Sequence, residues 1–285
     1  MTPPECLEEF SYKEFHVVVD QIGDRIRAIA RDYQDEEVEG VTGEALNEVR
    51  SDIKCRLNHI SQDYAGIGSA VNVFRRAFPS GFPSDYYVHR ERAYKDTRSK
   101  FMVENLAKHQ LDELLAGGDF EAIGSLAKRA FSTSNLYSQY ELMKFGNALK
   151  VKGLVEPFAR LLRELLYGDF DQSLEDLAHL LKPHDAAKWP ILTFWPFFRF
   201  PKRHMFLKPI MVQRCAERMG YDLHYQALPN RDTYRSLLGF AKFVREGIAD
   251  LEPKDNIDIQ SFLYAIDKSG YVRAAIKDRE ARGMT

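Results

Sequence analysis

Cysteine is scarce, with three in 285 residues, at positions 6, 55 and 215. An odd number at such wide spacing excludes the disulfide framework of a small secreted domain and the CxxC pairs of a structural zinc site. A reducing, cytoplasmic setting is expected. The longest apolar run, Trp189 to Phe198, holds ten residues, two of them proline, whereas a helix needs ~20 to cross a bilayer. The opening MTPPECLEEF is acidic and has neither the basic nor the apolar region of a secretory signal, so no membrane association is expected.

Several catalytic signatures are also missing. There is no GxxxxGK[ST], GxSxG, HExxH or EF-hand loop. Gly66-Ile-Gly68 has Val71 where a dinucleotide fingerprint needs its third glycine, and it follows a helical pattern instead of a strand. No cofactor or metal is expected. A hydrophobic fraction of 45% with 29% charged residues excludes disorder.

Proline, which breaks helix interiors, is absent from residues 5–78 and 84–156. In the first stretch, Phe15, Val18, Val19, Ile22, Ile26, Ile29, Ala30 and Tyr33 follow the three-and-four spacing of an amphipathic helix. Leu46, Val49, Ile53, Leu57 and Ile60 repeat in the same way. The pattern predicts an acidic helical hairpin over 1–78. FPSGFPSD (78–85) marks a boundary, and a larger helical domain is expected over 84–285. That domain should begin with a long helix from Asp85 and continue with helices capped by Asp119 and Ser138. Further helices are expected over Leu154–Tyr167 and at about 209–219, 231–249 and 256–266. The expected fold is mostly α, with at most a minor β element in short strands at Ile191–Trp195 and Leu223–Ala227.

Charge is uneven along the chain. Residues 1–63 carry 15 acidic and 7 basic side chains, and the remainder carries 27 and 33. No acidic residue occurs from 186 to 216, a window that contains an aromatic, basic and proline-rich connector at 186–210. The cations of the window are Lys188, Arg199, Lys202, Arg203, Lys208 and Arg214. Cations beside rings suit a phosphate-bearing ligand, because the charges meet phosphates while the rings stack on bases. The same composition suits a buried aromatic plug with a basic rim. Arg199 and His204 also match the loose R-x4-H spacing of helical, metal-independent ribonucleases, in which arginine steadies phosphate and histidine moves a proton. Near 256–266, Asp258 is expected to cap a helix N-terminus.

RFPKRHMFLKP (199–209), LPNRDTYRSLL (228–238) and LEPKDNIDIQSFLYAI (251–266) together resemble the C-terminal signature of a bacterial helical family. The resemblance implies one co-folded unit over about 85–266 and a bacterial or phage origin, and it brings no activity, cofactor or site residue.

The function expected from the residues is a non-catalytic interaction or regulatory protein that engages a macromolecule. The binding residues are expected to be Lys188, Trp195, Arg199, Lys202, Arg203, His204 and Lys208. The partner is expected to be a protein, a second copy of the chain, or a nucleic acid. The alternative is an enzyme acting on nucleic acid or a phosphorylated compound through Arg199, Lys202, His204 and Lys208.

Overall fold

The computed structural model describes residues 5–132, 136 and 138–284; the first four residues of the acidic opening stretch lie outside them. In chain order come β1 (Glu5–Tyr12), β2 (Phe15–Ile22), β3 (Arg25–Arg31), β4 (Glu37–Gly43), α1 (Leu46–Ile60) and α2 (Gly66–Ala77). Next are α3 (Asp85–Tyr87), a π-turn (Val88–Arg92), α4 (Ala93–Asn105), α5 (Lys108–Ala116), α6 (Phe120–Ser132) and α7 (Gln139–Ala148). The chain continues through α8 (Val155–Tyr167), α9 (Phe170–Leu181), α10 (Trp189–Arg199), α11 (Pro209–Arg218), α12 (Arg231–Gly247), α13 (Asn256–Asp267) and α14 (Tyr271–Arg282). The fold is mostly α with one small antiparallel sheet among the described residues. No described helix is long and apolar enough to cross a membrane. Two compact units form, one from Met1–Pro79 with Lys268–Thr285, the other from Ser80–Asp267.

The first unit corrects the expected helical hairpin. Its first four elements are strands, paired as an antiparallel meander in the order β1-β2-β3-β4. Val17 pairs with Ala30 and Val19 with Ala28, and these four side chains are buried on one face, against Val49, Ile53 and Leu57 of α1. A run this rich in valine and isoleucine satisfies helical and alternating spacing together. The β-branched content and the turn favour strands, and burial of this face against α1 decides for them. Gly23, at φ +60, opens the two-residue loop Gly23–Asp24 between β2 and β3, a conformation glycine adopts without steric cost. The second half of the expected hairpin is a helix, and its narrow seam is the face that covers the sheet.

In the second unit, the helices expected from caps form where the caps stand. The backbone N–H of Ala122 donates to Asp119 Oδ1 at 3.1 Å. Ser138 and Glu141 exchange bonds in a capping box, and α8 ends at Gly168. The long helix expected from Asp85 is instead interrupted at Leu106–Ala107. The strand expected at Ile191–Trp195 lies inside α10, and Leu223–Ala227 is irregular.

The connector at 186–210 is likewise not irregular throughout. α10 takes up eleven of its residues, all buried except Arg199. Pro190 falls in the first turn, where its missing N–H costs nothing, and Pro196 lies one turn from the end. Trp195 packs against Phe145 at 5.3 Å, Phe158 at 5.8 Å and Phe131 at 6.1 Å between ring centroids. Most of the connector's rings therefore form the core of this unit.

Candidate functional site

The part of the connector that stays at the surface is the corner after α10. Pro201 cannot supply the N–H that would continue the helix, and the chain turns. The backbone N–H groups of Arg203 and His204 both donate to the Phe200 carbonyl, at 2.9 and 3.0 Å. The start of α13 holds the turn from the other side. Asn256 donates its backbone N–H to the Pro201 carbonyl at 2.9 Å and its side-chain amide to the His204 carbonyl at 2.9 Å.

Several of the expected binding residues meet here. The Arg199 guanidinium lies 4.4 Å from the Phe200 ring centroid, and its Nε donates to the Tyr167 hydroxyl at 2.8 Å. Arg203 approaches the same ring at 5.9 Å, and the His204 ring lies 6.2 Å from it. Lys202 and Arg203 are exposed, while Arg199, Phe200, Tyr167, Phe170 and His204 are partly so.

The others are placed elsewhere. Trp195 is fully buried, with its indole N–H donated to the Ala127 carbonyl at 3.2 Å. Lys188 precedes α10 and pairs with Asp185 at 2.6 Å. Lys208 precedes α11 and is separated from the corner by the buried Met205, Phe206 and Leu207.

His204 is a poor proton carrier near neutrality. Burial, with a smaller contribution from the neighbouring Arg203 charge, lowers its pKa to about 4. One ring nitrogen, Nδ1, is hydrogen-bonded to the buried Tyr234 hydroxyl at 3.1 Å. Between the ordinary histidine pKa of 6.5 and about 4, the unfolded chain binds a proton at this position that the folded chain does not. Stability is therefore complete above that window and falls as pH drops through it, by up to about 3 kcal/mol. Urea unfolding of the wild type is expected to show this decline, and His204→Asn is expected to flatten it. Equal pH dependence in the two proteins would refute the assignment.

A second constellation lies behind the corner, and sequence reasoning missed most of it. The Arg92 guanidinium donates to both oxygens of Asp255 at 2.9 and 2.8 Å and to Asp258 Oδ1 at 2.9 Å. Tyr87 donates to the same Asp258 oxygen at 2.6 Å. Lys95 Nζ donates to Glu91 Oε2 at 2.8 Å and to Ser261 Oγ at 2.7 Å. The π-turn makes this geometry accessible. In an α-helix, positions five apart point ~140° from each other, but a π-turn closes i to i+5, so Tyr87 and Arg92 reach one carboxylate.

Burial pushes the Lys95 pKa down, opposed by Glu91. For Arg92, burial also works against the charge, but Asp255 and Asp258 outweigh it and raise the pKa. Asp258 is not the helix cap expected from the sequence: it lies in the first turn of α13 and accepts the Lys254 backbone N–H at 2.8 Å, while Asp255 caps the helix by accepting the Ile257 backbone N–H at 2.9 Å. In sequence, Glu91 and Lys95 read as an ordinary solvent-facing pair four apart. Only the burial of both side chains, at 4% and 1% exposure, marks them out.

No family model matches the chain, and no curated protein and no solved structure does.

The geometry separates two roles. Lys95 and Ser261 have the spacing of a base and a nucleophile, yet both are buried and the serine hydroxyl is donated to the Ile257 carbonyl at 2.9 Å. That constellation acts as a brace. By fixing Asp255, it also fixes Asn256, the residue that holds the corner. The corner itself presents exposed cations beside rings, and its histidine is neutral at pH 7, an arrangement suited to binding more than to proton transfer.

Proposed function

We propose that the protein is a non-catalytic interaction protein of the cytoplasm that holds an anionic macromolecule at the Arg199–His204 corner. One observation carries the reading. Arg199, Lys202 and Arg203 fall within five residues, and none of them is in an ion pair with a described carboxylate. Several cations elsewhere in this unit are paired, among them Arg214 with Asp267 at 2.6 Å and Arg163 with Asp112 at 2.7 Å. Three neighbouring unpaired cations leave a local positive field that an anionic partner neutralises. The rigid turn supports the same reading, because ordering entropy is already spent before binding. Three free cysteines, Cys6, Cys55 and Cys215, are in keeping with a reducing compartment.

Retention on immobilised heparin tests the proposal. The wild type is expected to be retained at low salt, and Lys202→Glu with Arg203→Glu to elute at clearly lower salt with an unchanged circular dichroism spectrum, since both side chains are exposed. Equal elution of wild type and double variant would refute it.

A further inference from the structure

Resting on that reading, we infer that the anion held at the corner is a single-stranded nucleic acid, with phosphates on Lys202 and Arg203 and a base stacked on the ring-and-guanidinium surface beside them. Charge by itself would serve an acidic peptide equally well. The corner, however, also carries three partly exposed aromatic rings, those of Tyr167, Phe170 and Phe200. Tyr167 and Phe200 meet edge-on at 5.7 Å, and Phe170 lies 4.6 Å from the His204 ring. The carboxylates of an acidic peptide gain nothing from ring faces, whereas every base has a π-face and gains ~1–3 kcal/mol by stacking.

The two arginines extend the rings. The Arg199 guanidinium over Phe200 is itself a planar group on which a base stacks, and the Arg203 guanidinium beside the same ring is a second. A duplex buries the faces of its bases in its own stack, so the surface suits a single strand. His204, neutral at pH 7, contributes a ring here and no charge.

The test compares fluorescent oligouridylate and oligodeoxythymidylate of about ten nucleotides, read by anisotropy between ~50 and ~200 mM KCl, with heparin as a polyanion that has no bases. Lys202→Glu with Arg203→Glu is expected to weaken oligonucleotide binding at least ~10-fold and to lower the magnitude of the log–log salt slope by roughly 1.4, about 0.7 for each lost phosphate contact. Phe200→Leu removes a ring, and Arg203→Lys keeps the charge but removes a stacking plane. Each is expected to weaken oligonucleotides severalfold and to leave heparin elution unchanged.

Arg203 is exposed, so Arg203→Lys reports even if Phe200→Leu disturbs the turn. Preference for RNA over DNA, or for neither, is compatible with the shared chemistry. Heparin binding without binding of either oligonucleotide overturns the inference and leaves the anion-binding reading intact. So does equal weakening of heparin and oligonucleotides by Arg203→Lys. Failure to bind any of the three polyanions overturns both.

Discussion

Arg92→Met is expected to destabilise the second unit by about 3–5 kcal/mol, because it leaves buried carboxylates without their cation. Asp258 is 1% exposed and Asp255 6%, so neither recovers solvation from water when the guanidinium is removed. The wild-type arginine supplies three of the hydrogen bonds these two carboxylates accept. With domain stabilities commonly between about 5 and 15 kcal/mol, a loss of this size is easily measured. A urea midpoint unchanged from wild type would refute the brace. The triple variant Arg92→Met, Asp255→Asn, Asp258→Asn should recover a large part of the loss, since it removes the unpaired charges together with their partner. The damage should also reach the corner. Asp255 precedes Asn256, which holds Pro201 and His204, so the backbone amides of Arg203 and His204 should exchange hydrogen faster in the single variant.

Trp195→Ala should be comparably costly, at about 3–5 kcal/mol, the usual range for deleting a buried aromatic from a packed core. The indole is completely buried and touches rings contributed by α6, α7 and α8. Its loss opens a cavity that three helices must close together. Trp195→Phe is expected to cost less, because it keeps most of the apolar volume and gives up chiefly the N–H bond to the Ala127 carbonyl. A near-wild-type urea midpoint for Trp195→Ala would show that this part of the unit is loosely packed. The same variants separate core from surface in one segment: Trp195→Ala acts on stability, while Lys202→Glu with Arg203→Glu acts on binding.

Helix positions were legible wherever a local signal was enough. Asp119, Ser138 and Gly168 stand at helix ends in the structure, because a cap bonds to backbone groups two or three residues away and needs no tertiary partner. Prolines likewise open α8 and α11, each with proline in its first turn. The cations of the corner were visible too, since an acid-free window is a property of the chain alone.

Three features were decided by tertiary structure. From Phe15 to Arg31, apolar residues fit a helical stripe and a pair of alternating strands almost equally, and pairing of β2 with β3 over α1 settled the matter through burial that no local window contains. The connector's composition suits both a phosphate-binding surface and a buried plug with a basic rim, and α10 sinks its two tryptophans and its phenylalanines into the core while Arg199, Phe200, Lys202 and Arg203 stay outside. Composition cannot divide a segment in this way. The division depends on which neighbours arrive, here Phe131, Phe145 and Phe158 from well over thirty residues away in the chain. The brace is the extreme case, because Arg92 and Asp255 lie 163 residues apart. The chain alone determined where its capped helices begin or end and where its cations cluster, since those follow from bonds and charges between near neighbours; which segments pair as strands, which side chains are buried, and so which charges must be paired, was decided only when distant segments met.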